Sequence, residues 1–437
     1  MLITNNRLLD VLSHAQAELC GLTGCLPTPE FYADKLARTW ARAASTKAYA
    51  DLPPWSIEAF HALPPTPRAR LKADPWAYVA VGWDRTAKYY ETTGTSGQVT
   101  PTPRTVEDIV YNAVSVAEAW RGVLSDDDRV AILLPSDIVP VADLVVSVSE
   151  YLGLPHARLY PFTVGIADYD RVIDLWRTLR PTAVFLAPGV ALQLTRFLKQ
   201  RGQFEQLRES VRTMMLLGEV STEAMRARLG SWWQARVYDA SYGSTETGTL
   251  AATCRAANLH LLTGANYVEL AGPDGAIEPV RAGAAGRLVV TPLNLHARPL
   301  LRLDTGDEVR LGEPCSCGSP APVITVSGRS SDALRVHEVP LTIRAVEDVV
   351  YGATGATGYL VETDPGGSHV RLLLERDVRA DRAAEPAQII ALQEASAHGI
   401  GLRWDVVSFV NSLPSTTKAG GSQKSWKRSN IRVVEPV

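Results

Sequence analysis

The segment Thr92-Thr93-Gly94-Thr95-Ser96-Gly97-Gln98 concentrates hydroxyls and glycines in a pattern suited to holding an anion. Glycine leaves backbone N–H groups unshielded by a Cβ and the hydroxyls add side-chain donors, so such a loop can wrap a polyphosphate. A P-loop would need Gly-Lys followed by Ser or Thr, which this segment lacks. Taken alone, the same residues also read as a polar surface linker. Three more segments follow in order: Tyr242-Gly243-Ser244-Thr245-Glu246 after the strand-like RVYDAS, Leu303-Asp304-Thr305-Gly306-Asp307, and Gly328-Arg329-Ser330-Ser331-Asp332. In isolation Asp307 reads as the cap of a turn and Arg329 as a solvated charge; four ordered motifs point to nucleotide binding.

A second cluster has the chemistry of a metal site. Cys254 and His260 form a Cys-x5-His pair, and Cys315-Ser316-Cys317 forms a Cys-x-Cys pair. Four nitrogen and sulfur ligands suit closed tetrahedral zinc, and three buried thiols with an unrelated histidine are the alternative. A disulfide between Cys315 and Cys317 is disfavoured by geometry. Cys20 and Cys25 stand apart from this group.

The elements that must position these residues alternate. VEDIVYNAVSVAEAWRGVL has helical apolar spacing, DRVAILLP reads as a buried strand, and VFLAP and TMMLLGE continue the alternation, which predicts a largely parallel α/β core. Before it, the first ninety residues mix short helices with Pro-rich turns. Residues 250–325 change to short strands separated by Gly, Pro and Asn, a smaller β-rich module. After residue 330 the composition changes again, predicting a large domain over 1–330 and a small α+β domain over 331–437.

The chain has 437 residues, 44 Lys and Arg against 47 Asp and Glu, and a net charge of -3, which supplies no field for nucleic acid or an anionic membrane. The N-terminus lacks the basic and apolar regions of a secretory signal, and no stretch is long and apolar enough to span a bilayer. Five cysteines are too few for a disulfide scaffold, so the cytoplasm is the expected compartment.

Together these motifs resemble the adenylate-forming (acyl-CoA synthetase-like) superfamily and, within it, the phenylacetate-CoA ligase branch, whose N-terminal segment FHALPPTPRARLKADP also resembles. The resemblance implies ATP-dependent, AMP-forming activation of a small, aromatic carboxylic acid as its acyl-adenylate. Thr92 to Gly97 would hold the β- and γ-phosphates, and Glu246 would hold Mg²⁺, a hard cation that prefers carboxylate and phosphate oxygens. Tyr242 would stack near adenine, Thr245 would contact the α-phosphate, and Asp307 and Arg329 would meet the ribose. Gly243 and Ser244 belong to the same nucleotide motif, and Gly218-Glu219-Val220 resembles the strand end lining the adenine and acyl pockets. Leu134, Phe162, Ala187, Pro188 and Gly189 would contribute to the acid pocket. The family's cysteines and histidine, followed as here by Gly and Pro, imply structural rather than catalytic zinc.

The family's C-terminal lysine corresponds to Lys424, with Lys418 the alternative, and the C-terminal domain is expected to rotate between half-reactions. Three departures stand out: Gln98 where the loop commonly carries Lys, Ser331 where the hinge carries Asp or Lys, and His337-Glu338 where coenzyme A ligases carry Arg-Gly. Glu338 adds bulk and charge where that glycine lines the pantetheine tunnel. The acceptor of the acyl group therefore stays open between coenzyme A, an amine, a carrier-protein thiol and nitrite. A homodimer is kept open, as is a retired nucleotide-binding protein that keeps the fold without catalysis.

Overall fold

The computed structural model describes residues 6–22, 24–92, 99–163, 166–219, 221–328, 334–414 and 430–434. The chain forms two compact units: Met1–Asp128 with Pro135–His156 and Ala240–Ser330, and Arg129–Leu134 with Ala157–Asp239 and Ser331–Val437.

In the first unit, strands Thr66–Pro67, Leu303–Leu311, Ala285–Pro292, Asn266–Ala271 and Ile277–Pro279 lie side by side in that order, and Ile324–Gly328 also pairs with Leu303–Leu311. All pairings are antiparallel except that of Thr66–Pro67, which runs parallel to Leu303–Asp304. A second sheet is made by Leu259–Leu261, Gly248–Thr253 and Ser241–Ser244. Both sheets contribute to one core in which Leu250, Leu288 and Val290 pack with Trp40, Tyr49, Phe60 and Tyr78 from the N-terminal segments. The helix Val106–Trp120 starts on a capping box, in which Thr105 accepts from the Asp108 N–H and Asp108 accepts from the Thr105 N–H.

The second unit contains a five-stranded sheet in the order His156–Arg158, Val130–Leu133, Ala183–Leu186, Thr213–Leu216, Arg236–Asp239. The last four pair in parallel. Every residue of Val130–Leu133, Ala183–Leu186 and Thr213–Leu216 is buried, as a parallel sheet covered on both faces requires. This is the α/β class expected from the alternating pattern.

The C-terminal segment of this unit has a four-stranded sheet, Val406–Val410, Val370–Glu375, Gly358–Thr363 and Ile431–Val433, with helices Ile343–Ala353 and Glu385–Gly399. It shares one hydrophobic cluster with the parallel sheet layer, from Trp176, Phe204 and Trp233 to Val350, Tyr359 and Leu374. Polar contacts reinforce the junction: Arg228 donates to the carbonyls of Tyr351 (2.7 Å) and Thr354 at the end of a helix, and Arg196 and Lys199 pair with Glu375 and Asp377. No described helix is long and apolar enough to cross a membrane.

Candidate active site

In the first unit two antiparallel strands, Lys88–Glu91 and Pro101–Arg104, flank the Thr/Ser/Gly segment in sequence and pair from Lys88↔Arg104 to Glu91↔Pro101. The pair closes at Thr92, whose hydroxyl accepts from the Thr100 N–H at 2.9 Å and whose N–H donates to the Thr100 carbonyl at 3.3 Å. Thr93, Gly94, Thr95, Ser96, Gly97 and Gln98 lie outside the described residues, as do Val220, Arg329, Ser331, Lys418 and Lys424.

The strand after the loop is held by a buried arginine. Arg298 donates to the Pro101 carbonyl (2.5 Å) and the Thr102 hydroxyl (3.0 Å). Burial, and then the neighbouring Arg104 charge, push its guanidinium down to about 9. Arg104 in turn donates to the carbonyls of Thr245 (2.6 Å) and Glu246 (3.0 Å), which ties the loop strand to the second motif.

That motif begins on strand Ser241–Ser244, where Gly243 is required by packing: a Cβ there would stand 2.3 Å from the Gly248 carbonyl oxygen. Ser244 shares a 3.0 Å hydrogen bond with the Thr247 hydroxyl. The Tyr242 hydroxyl donates to Asp307 Oδ2 at 2.7 Å, and burial followed by the Asp307 charge pushes the phenol well above its ordinary range. Asp307 is presented just after Gly306, whose φ of 73° lets strand Leu303–Leu311 turn there. Glu246 is buried, with Oε1 2.9 Å from Arg68 Nη2. Burial pushes its carboxyl upward, but Arg68, with a backbone hydrogen bond and the Arg298 charge, outweighs this and holds it below the usual carboxylate range.

In the second unit the residues read as pocket-forming share one location, the carboxyl ends of the parallel strands. Leu134 follows Val130–Leu133; Ala187, Pro188 and Gly189 follow Ala183–Leu186 and begin helix Pro188–Gln200; Gly218, with φ of 87°, and Glu219 follow Thr213–Leu216. Open α/β sheets bind ligands at this edge. Leu134, Ala187 and Pro188 are buried, while Gly218 is exposed. Half-buried Phe162 belongs to an edge-packed aromatic row with Tyr160 and Tyr169. Asp239 ends the next strand, and burial pushes its carboxyl up to about 6.

His337 and Glu338 form the two-residue tip between strands Leu334–Val336 and Val339–Leu341, with φ of 45° and 64°. Such a tip favours glycine or asparagine, and the left-handed region costs other residues roughly 1–2 kcal/mol each. The Glu338 side chain is 94% exposed.

Cys254, His260, Cys315 and Cys317 converge in the first unit, with their ligand atoms all within 4.8 Å of one another. Cys254 and Cys315 Sγ are 3.8 Å apart, and Cys317 Sγ is 3.4 Å from His260 Nε2. His260 Nδ1 donates to the Ala321 carbonyl at 2.6 Å, leaving the Nε2 lone pair toward the sulfurs. Burial pushes the Cys254 thiol up to about 11. At Cys315 burial also pushes upward, but the Cys317 N–H, the Asn258 amide and His260 outweigh it and hold the thiol down to about 6.

Arg68, Arg104 and Arg298 were not singled out by the sequence reading. Arg68 lies within FHALPPTPRARLKADP but nothing in that segment marks it against Glu246, and Arg104 and Arg298 stand far from it in the chain, so the fold brings the three to Glu246 and its neighbours.

No protein-family model matches the chain. It is 24% identical over 339 residues to a phenylacetate-coenzyme A ligase of Aromatoleum evansii, covering 75% of this chain and 74% of that one. A phenylacetate-coenzyme A ligase of Thermus thermophilus is 26% identical over 287 residues, covering 63% of this chain and 62% of that one. Among solved structures, a 2-hydroxyisobutyryl-CoA ligase in the postadenylation state with its acyl-AMP superposes with a TM-score of 0.74 at 18% identity, over 98% of this chain and 89% of that one. ATP-bound MatB from Rhodopseudomonas palustris superposes with a TM-score of 0.52 at 18% identity, over 78% and 67%. These structural likenesses speak to the fold.

Proposed function

We propose that this chain, an AMP-forming ligase of the adenylate-forming superfamily in its phenylacetate-CoA ligase-like branch, activates a small carboxylic acid as its acyl-adenylate. The observation that carries the reading is the joining of three separate motifs in one unit: Arg104 ties the loop strand to Thr245 and Glu246, and Tyr242 is bonded to Asp307.

In this reading the carboxylate oxygen attacks the α-phosphorus, the new acyl–O–P bond forms, and pyrophosphate leaves with the electron pair of the broken P–O bond. The acid is its own nucleophile, so no protein nucleophile is needed. Mg²⁺, when bound, neutralises phosphate charge. Glu246 is suited to hold it, being ionised and fixed in place. Thr92 and the loop after it would orient the β- and γ-phosphates, and Thr245 the α-phosphate. Tyr242, backed by Gly243 and Ser244, would pack on the base, with Asp307 accepting from the ribose hydroxyls beside Arg329. Lys424, or Lys418, would bring a cation to the reacting carboxylate. The acid would lie at the carboxyl edge of the parallel sheet, among Leu134, Phe162, Ala187, Pro188 and Gly189, with Gly218 and Glu219 alongside. Those mostly apolar side chains favour an aryl or alkyl acid.

The names of the relatives favour coenzyme A as acceptor. The exposed carboxylate at a glycine-like tip, Glu338, favours another acceptor: an amine, a carrier-protein thiol or nitrite. Acid-dependent pyrophosphate release, followed by product analysis with each acceptor, separates these readings.

Structural zinc is part of the proposal. Zinc with about 2.3 Å to sulfur and about 2.0–2.1 Å to nitrogen spaces two sulfurs about 3.8 Å apart and sulfur and nitrogen about 3.5 Å apart. The spacings here, 3.8 and 3.4 Å, fit that donor set. The His260–Ala321 bond is the outer support that zinc-bound histidines typically have. Cytoplasmic location completes the proposal, with a rotation of residues 331–437 that would have to break the cluster and the Arg196, Lys199 and Arg228 contacts they share with the parallel sheet layer.

A further inference from the structure

We propose that Arg68 is the positioning residue that holds the Glu246 carboxylate before metal arrives and then passes to an oxygen of the incoming polyphosphate. The inference rests on the nucleotide-binding reading of Glu246.

Arg68 is fixed by its neighbours. It follows directly on Thr66–Pro67, the short strand that runs parallel to Leu303–Asp304. Thr66 is buried, its N–H donates to the Arg302 carbonyl at 2.7 Å, and its hydroxyl donates to the Leu301 carbonyl at 2.9 Å and meets the Tyr49 hydroxyl at 3.1 Å. The backbone that carries Arg68 is thus anchored on the strand that presents Asp307, and the Arg68 charge is felt at the Tyr242 hydroxyl. Its partner differs in environment: the Glu246 side chain is 2% exposed, that of Arg68 22%.

An ionised carboxylate this deeply buried needs a compensating cation at all times. Arg68, in direct contact at 2.9 Å, supplies the larger part in the metal-free protein, and the buried Arg298 charge adds to it. A divalent cation on the same carboxylate would place two positive centres within a few ångströms in a poorly screened setting, which is repulsive. The less buried end of the pair is the one able to move, and a polyphosphate arriving with the metal offers the planar guanidinium a better acceptor. The exchange is non-covalent and conserves charge: one cation leaves the carboxylate as another replaces it.

This predicts opposite changes at two ligands. In the full chain, Mn²⁺ binding without nucleotide is followed by electron paramagnetic resonance, and MgATP binding by calorimetry. Arg68→Gln should bind Mn²⁺ roughly tenfold more tightly and MgATP roughly tenfold more weakly than the unmodified chain, the scale of one charged hydrogen bond. Arg68→Lys, which keeps the charge, should restore both toward the original values. Arg68→Met serves in place of Arg68→Gln if that variant does not fold. An unchanged or weakened Mn²⁺ affinity, or an unchanged MgATP affinity, in the uncharged variant overturns the proposal. If the unmodified chain binds neither ligand, it is the nucleotide-binding reading itself that fails.

Discussion

The Tyr242 hydroxyl donates to Asp307 Oδ2 at 2.7 Å, joining an outer strand of the three-stranded sheet to a bulge in strand Leu303–Leu311 of the six-stranded one. Residues 65 positions apart in sequence thereby become one fixed pair. Tyr242→Phe should weaken ATP binding about three- to tenfold by loosening Asp307. Asp307→Ala should cost more, roughly tenfold or beyond, because it removes the proposed ribose acceptor and leaves the phenol buried without it. Calorimetric titration of ATP into each variant checks the order.

Metal content tests the cysteine cluster. Purified protein should contain about one zinc per chain, and Cys315→Ser or His260→Ala should lose it and melt at lower temperature, because binding and folding of this module are coupled. Elemental analysis that finds no zinc in the unmodified chain would set the assignment aside.

A pH effect follows from Glu347, which is buried, bonded to Tyr359 at 3.4 Å and close to Glu219. Burial raises its carboxyl from 4.5 to about 8. Below 4.5 folded and unfolded chains both hold the proton and nothing is lost. Between 4.5 and about 8 the unfolded chain releases it while the folded chain retains it, so stability falls as pH rises. The loss is complete above about 8. Glu347→Gln should flatten this slope and stabilise the protein by up to a few kcal/mol at alkaline pH, read from denaturant midpoints between pH 5 and 9.

The hairpin tip offers a test of acceptor choice. Glu338→Gly relieves a positive-φ position and removes its charge. If Glu338 disfavours coenzyme A, this variant should form acyl-CoA at least about tenfold faster while pyrophosphate release in the first step stays unchanged, tenfold being about 1.4 kcal/mol. Equal thioester formation by both proteins would remove Glu338 from the argument.

What could be read from the sequence depended on whether the signal was local. The α/β alternation was legible because Val130–Leu133, Ala183–Leu186 and Thr213–Leu216 are continuous apolar runs between helical patterns. Tyr242, Glu246 and Asp307 were legible because each sits in a compact motif, and the cysteines and His260 because ligand chemistry is scarce enough to stand out. Arg68, Arg104 and Arg298 were not. An arginine that pins a buried carboxylate looks like a surface arginine until the strand Thr66–Pro67 is seen against Leu303–Leu311. Nor did any spacing reveal that Arg196, Lys199 and Arg228, on two separate helices, would bind the C-terminal segment to the parallel sheet layer in one compact unit.

The most direct test of the central claim is pyrophosphate release from ATP by the full chain, measured with and without a panel of aryl and alkyl carboxylic acids. The account predicts release that depends on at least one acid, yields AMP, and is abolished by Glu246→Gln. ATP binding without acid-dependent pyrophosphate release across a broad panel would contradict it.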